Sequence, residues 1–360
     1  MKISLHLLSA AVLLGFVSCA APETDAEPAA ARATGAAPSA NLWNSAAAAE
    51  AIRAASCPDG GAPIRGFLPL EMTVTALNAK QAEVIAGRLP EGAKLAGGWE
   101  LGADDPNFGG LSGLALEDAT GLLAITDAGG WVRISLENSA PVAATIGYMR
   151  GADGQFLSGK AENDAEGLTA RDGIAYVSFE RDFRIEAFAV GACGAGAKAV
   201  EIARLPGTSN GQAIDANEGP EALMMTPDGG LFAGFEGASG SLSPISRVRA
   251  SGEAEWTGAG AANPKGFALV AMDAAALAGG AAREIYLYRA FDPIRGARSV
   301  LTWGPGEANQ LTLSRPALTD NFEGLAAELL DSGKLRLWIV SDDNFAPVQR
   351  TLLYAFDVTP

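Results

Sequence analysis

Carboxylates recur in this sequence at matching places in a repeated unit. In the clearest copy, Asn321-Phe322-Glu323-Gly324-Leu325 is followed by the apolar run Leu335 to Val340, which ends in Ser341-Asp342-Asp343-Asn344-Phe345. Weaker copies lie upstream. Asp164-Ala165-Glu166-Gly167-Leu168 leads to Ala175 through Glu180-Arg181, and Gly219-Pro220-Glu221-Ala222-Leu223 leads to Leu231 through Glu236. Gly110-Leu111-Ser112-Gly113-Leu114 leads to Leu122 through Asp127, and a divergent unit, Gly266-Phe267-Ala268-Leu269, leads to Ile285 through Arg289. A repeat puts equivalent residues on equivalent sites, so Ser112, Glu166, Glu221 and Glu323 are expected to converge. The ends of the second strands should bring Asp127, Glu180, Arg181, Glu236, Arg289, Asp342 and Asp343 to the same place.

Carboxylates crowded in that way cannot all stay ionised without a cation. All the ligands on offer are hard oxygens, which favour Ca²⁺ or Mg²⁺ over softer metals. Such an ion can polarise a phosphoryl or carbonyl oxygen and acidify a water. The expected metal ligands are Asp342, Asn344, Glu323 and Asp127, and the expected catalytic carboxylates are Asp342, Glu323, Glu166 and Glu221. Arg181, Arg289, Arg295 and Lys265 are the cations for a small anionic substrate, arginine through its bidentate fork. Period-two alternation sends Asp342 and Asp343 to opposite faces, so Asp342 should share its side with Asn344 while Asp343 caps the following turn. Glutamate just before Gly-Leu could equally hydrogen-bond the next unit's backbone and hold the repeats together.

Other chemistries are excluded by what is missing. The one histidine is His6, so Ser-His-Asp and Cys-His catalysis and imidazole-based zinc sites have no base or ligand later in the chain. No EF-hand loop is present, so a calcium site must be assembled from separate units. A formal net charge of −16 without a basic run argues against nucleic acid.

The elements that must position these residues are short apolar strands with turn signals between them, such as Asp331-Ser332-Gly333. Five units at roughly 40–55 residues match the period of β-propeller blades. The fold class is therefore all-β, a propeller of five recognisable blades, with a sixth left open by the segment Glu71 to Val84. The first strand of each blade lines the channel. The strand Leu95 to Leu101 is expected to complete the blade begun at Phe322, because propellers close by pairing strands from both chain ends. Trp99, Trp131, Trp303 and Trp338 read as packing between blades.

The repeated Glu-Gly-Leu turn, the run Phe108-Gly109-Gly110-Leu111-Ser112-Gly113-Leu114 and the closing Ser341-Asp342-Asp343-Asn344-Phe345 resemble the phytase-like family, secreted bacterial proteins described as having esterase-like activity of phytase. The similarity runs from about Leu101 to Val358. It implies a β-propeller related to calcium-dependent phytases and supports a divalent-metal-dependent hydrolase of phosphate or related esters. Two alternatives stay open. One is a non-catalytic binding or assembly propeller. The other is a lactonase-like metal hydrolase using Asn163, Asn321 and Asn344.

The chain start reads as an export signal. Residues 1–19 carry Lys2, an apolar core and Phe16-Val17-Ser18-Cys19, too short for a membrane span. Cys19 after a small residue is the lipid-accepting position of a lipobox, with ordinary cleavage as the alternative. Residues 20–60 read as a low-complexity tether and linker, with helical bias from Asn44 to Ala55. The propeller domain is assigned to 61–360, and the chain is expected to be a monomer. Two further cysteines, Cys57 and Cys193, are expected to form a disulfide in an exported protein. The location that follows is the periplasm or, through Cys19, the outer membrane of a bacterium, with no other membrane contact.

Overall fold

The computed structural model describes residues 42–57, 66–209, 211–236 and 242–360, and the expected signal peptide, Cys19 anchor and most of the tether lie outside them. Five antiparallel sheets form the body. From the inside outward, blade 1 is Leu111–Asp118, Gly121–Thr126, Gly130–Glu137 and Ala140–Tyr148, with Leu68–Leu70 added at its edge. Blade 2 is Ala165–Arg171, Ile174–Phe179, Arg184–Phe188 and Val200–Arg204. Blade 3 is Ala222–Met225, Leu231–Gly234, Leu242–Val248 and Ala254–Ala262. Blade 4 is Ala268–Ala276, Ala282–Asp292, Gly296–Thr302 and Gln310–Leu313. Blade 5 takes Asn321–Leu329, Leu335–Asp342 and Thr351–Val358 from the end of the chain, then Lys94–Ala103 and Met72–Ala76 from its beginning.

The pairing of Lys94–Ala103 with Thr351–Val358, for example Trp99 with Leu353, joins distant parts of the chain in one sheet. The segment that left a sixth blade open is used otherwise. Met72–Ala76 becomes the outermost strand of blade 5 and Ala79–Ala86 is a helix capped by Asn78.

Apolar residues fill the space between each pair of neighbouring blades, the last with the first included. Leu335, Leu337 and Ile339 face blade 4, whereas Trp338 and Val340 of the same strand face blade 1. A blade buried on both faces explains why Leu335 to Val340 is apolar at every position but Arg336 and does not alternate. Trp131, Trp303 and Trp338 are fully buried in these layers, and Trp99 stacks on Trp338.

The helix Ser45–Ser56 starts at Asn44, whose side chain accepts from the Ala47 N–H, and buries Ala49 and Ile52 against blades 2 and 3. The folded body thus includes residues 42–57, upstream of the boundary at 61 that composition suggested. Alanine content suggested a linker because propensity says nothing about the partner surface. At the end of this helix Cys57 is bonded to Cys193, 136 residues away, with Cα atoms 5.6 Å apart. Among the described residues no helix is long and apolar enough to cross a membrane.

Candidate active site at the channel mouth

Every blade starts its inner strand, and ends its second strand, at the same end of the ring. A bulge in the inner strand sets what faces the axis. The register jumps between Leu111 and Gly113, Ala165 and Leu168, Leu269 and Ala271, and Phe322 and Gly324. The residues left over are Ser112, Glu166 with Gly167, Val270 and Glu323. Such an extra residue is turned away from the ladder, a common device beside functional sites. Blade 3 reaches the same place with Glu221, just ahead of its inner strand. Ser112, Glu166, Glu221, Val270 and Glu323 all line one axial cavity. This corrects the reading of blade 4: the residue equivalent to the glutamates is Val270, not one within Gly266–Leu269.

The glycines that follow have a steric origin. A Cβ on Gly113 would lie 2.8 Å from the Glu166 carbonyl oxygen, one on Gly167 2.9 Å from that of Glu221, and one on Gly324 2.9 Å from the Leu114 Cβ. The recurring Glu-Gly-Leu is therefore one bulged side chain plus one point of contact with the next blade.

The second strands deliver Asp127, Glu180, Glu236, Arg289 and Asp342 to the mouth. Asp127, Glu180 and Glu236 donate their N–H groups to Gly110, Asp164 and Gly219, while Arg289 pairs with Ala268 and Asp342 with Asn321. Where the other four blades place a carboxylate, blade 4 places a cation. Arg289 donates to Glu323, to Asn321 Oδ1 at 3.3 Å and to Glu236 Oε1 at 3.1 Å, and Asn321 donates to Glu323 at 2.9 Å. Arg289 is thus an internal counter-ion of blades 3 and 5.

Burial governs the protonation of this ring. It pushes Glu323 up to about 8 against the pull of Arg289, and Asp342 up to about 6 against the N–H of Asn344. Glu180 rises to about 7, by burial and by its neighbour Asp164. Glu166 and Glu221 are raised well above the ordinary range by burial, and the surrounding carboxylates add to it. Burial also raises Asp127. Despite its own burial, the surrounding glutamates hold Arg289 firmly charged.

One group brings three acidic oxygens together. Asp164, Glu166 and Glu180 each offer an oxygen within 4.8 Å of the others, all from blade 2 and the turn leading into it. Asp164 is buried between two cations, with Arg181 Nε 2.6 Å from one oxygen and Lys160 Nζ 3.1 Å from the other. Lys160 also lies 3.5 Å from Asp127, whose buried Oδ1 accepts no hydrogen bond from the described residues.

The residues named from sequence are distributed as follows. Glu166, Glu221 and Glu323 share the axial cavity, with Asp342 at its rim beside Glu323. Asn344 is exposed, and its backbone, not its side chain, meets Asp342. Asp343 accepts from Gly110, Phe345 and Thr351 and fastens the turn of blade 5 to blade 1. Arg295 bonds to Asp292 in an exposed hairpin, and Lys265 is exposed ahead of blade 4. Asn163 donates to Ala128 and Asn321 to Glu323. Asp164 and Lys160 were not singled out. Asp164 precedes Glu166 by two residues, as Asn321 precedes Glu323, and that shared spacing was the available signal.

The axis is narrow, with room for roughly one water. Fold and site together define a five-bladed propeller with a carboxylate-lined mouth and embedded cations. A family model described as Phytase-like, "Esterase-like activity of phytase", matches residues 106–345, and the chain belongs to that family. No curated protein matches the sequence. Among solved structures, the PQQ-bound aldose sugar dehydrogenase of Streptomyces coelicolor is similar at 12% identity and TM-score 0.41, over 81% of this chain and 99% of that one. Glutaminyl cyclase of Myxococcus xanthus is similar at 14% identity and TM-score 0.40, over 74% and 97%. An endo-arabinase of Bacteroides thetaiotaomicron shows 10% identity and TM-score 0.41, over 71% and 96%.

Proposed function

We propose that the protein is a divalent-metal-dependent hydrolase of phosphate or related esters, working from the channel mouth. The observation that carries this reading is the convergence of the Asp164, Glu166 and Glu180 oxygens beside the cations Lys160 and Arg181. The donor set fits the group it would hold: all-oxygen, acidic, and therefore suited to Ca²⁺ or Mg²⁺. That ion would supply Lewis acidity toward a phosphoryl or carbonyl oxygen. Lys160 and Arg181 would bind the anionic part of the substrate, with Lys265 and Arg295 further out on the same face. Asp342, poised near 6, and Glu323 would exchange the protons of the reaction from the opposite side. Arg289 keeps Glu323 in place.

Stapling between blades is shared among several residues: Glu323 holds Arg289 of blade 4, and others act beside it. Ser112 donates to the Ala165 carbonyl at 2.6 Å, and Ser178 to the Pro220 carbonyl at 2.8 Å. Asp273 accepts from the Ala327 N–H at 2.8 Å. Those contacts tie blade to blade without using the axial glutamates.

Purified protein is to be incubated with phosphomonoesters and carboxylic esters, with Ca²⁺, with Mg²⁺ and with chelator. Turnover that chelator removes and metal restores is expected. Absent or chelator-indifferent turnover across the panel would overturn the proposal. We further propose that the protein is exported, which the Cys57–Cys193 bridge supports, and that Cys19 anchors it. Cys19→Ala should then release it from the membrane fraction, and unchanged fractionation would exclude the anchor.

A further inference from the structure

We infer that Lys160 is a displaceable counter-ion that closes the divalent-cation site, and that once displaced it holds the substrate's anionic group. The inference rests on the metal site proposed above. Both oxygens of Asp164 are taken, one by Arg181 and one by Lys160. A metal ion at Asp164 would be repelled by both of these cations, and the repulsion is relieved when one of them moves. Arg181 makes the shorter contact, 2.6 Å from a guanidinium Nε. Lys160 sits at 3.1 Å, its side chain is 64% exposed, and it shares its ammonium with Asp127 at 3.5 Å. An ammonium on a flexible four-carbon stem gives way more easily than a planar guanidinium in a short charge-assisted bond. Lys160 also stands on a four-residue helix, Lys160–Asn163, in the connection between blades 1 and 2, outside any sheet.

A second observation points to a ligand in the same place. Glu221 is only 5% exposed, lines the axial cavity with Glu166, and accepts no hydrogen bond from the described residues. Lys160 reaches only Asp164 and Asp127, and Arg181 only Asp164, so the inner carboxylates keep acceptor capacity that neither fills.

Displacement has a consequence for the substrate. Metal entry turns the Lys160 ammonium from a partner of Asp164 into a cation at the mouth held only by its longer contact to Asp127. A phosphate monoester or carboxylate bound there would stabilise the displaced state. Metal and anion should therefore strengthen each other's binding by the same factor, as linkage requires.

Calorimetric titration of the full-length protein with Ca²⁺ tests this, with and without methyl phosphate as the anion. Lys160→Met should bind Ca²⁺ about fivefold more tightly, the scale of one exposed ion pair removed. Methyl phosphate should tighten Ca²⁺ binding in the wild type and have no such effect in Lys160→Met, and Lys160→Arg should restore the weaker affinity. Wild-type binding that Lys160→Met leaves equal or weakens overturns the inference while leaving the metal site standing. No binding by wild type or by Lys160→Met overturns the metal site itself.

Discussion

At the scale of single residues, the mouth is a set of carboxylates that burial keeps partly protonated, and this fixes how the protein should respond to pH. Glu323 is raised to about 8, Glu180 to about 7 and Asp342 to about 6, against an unfolded value near 4. A group raised on folding contributes stability that is complete below its unfolded value and is lost as pH climbs through the folded one. The metal-free protein should thus melt at falling temperature from about pH 4.5 to 8. Ca²⁺ should raise the melting temperature more at pH 8 than at pH 5, because binding needs the deprotonated carboxylates. Thermal melts in chelator and in Ca²⁺ check both, and a metal-free melting temperature that climbs over that range would refute them. The residue-level map also separates two neighbours. Asp343→Ala removes three hydrogen bonds, two that hold the turn of blade 5 and one, from Gly110, that fastens it to blade 1, and should cost about 1–3 kcal/mol in denaturant unfolding. Asp164→Asn or Glu180→Gln should instead abolish the Ca²⁺-induced shift in the melt. Loss of that shift in Asp342→Asn alone would move the metal site to blade 5.

At the scale of elements, the bulged inner strand is the working part, and it explains both what could be read from sequence and what could not. Glu-Gly-Leu was visible because one residue faces the axis and the next has no room for a Cβ. Blade 4 escaped because valine at the bulge, Val270, carries no chemical signature, so the unit was matched a few residues too early. Asp164 escaped because its importance lies in facing Glu180 across the pairing of two strands, which the two-residue offset from Glu166 hints at but does not establish. The docking of Ser45–Ser56 was hidden for a like reason: an alanine-rich helix is legible, its partner surface is not. The steric account makes a sharp comparison possible. Gly167→Ala drives a methyl into the Glu221 carbonyl and should destabilise the protein by about 1–3 kcal/mol. Gly207→Ala meets nothing within 4 Å and should be near neutral. Equal effects in chemical denaturation would mean the inner strands have slack that the contacts deny.

At the scale of the whole molecule, the ring is held by five apolar layers between blades, by a sheet shared between distant parts of the chain, and by one covalent link. Cys57–Cys193 ties the segment after the first helix to blade 2 across 136 residues. Removing a native disulfide costs typically 2–5 kcal/mol, more for longer loops in the chain-entropy view. The double variant Cys57→Ser/Cys193→Ser should melt lower than the wild type, and reductant should bring the wild type down to match it. A wild-type melt indifferent to reductant would show that the helix is held by packing alone.

The odd position in blade 4 bears on direction. Five identical blades would offer a cation five equal seats and a substrate five equal poses, a degenerate arrangement with no preferred orientation. Val270 and Arg289 remove that degeneracy. They put an apolar wall and one cation, Arg289, on the side of blade 4, whereas Lys160 and Arg181 pair with Asp164 on the side of blade 2, so no two sectors of the mouth carry the same arrangement of charge. The mouth therefore has no rotational symmetry of charge, and a molecule charged at one end meets its sectors unequally.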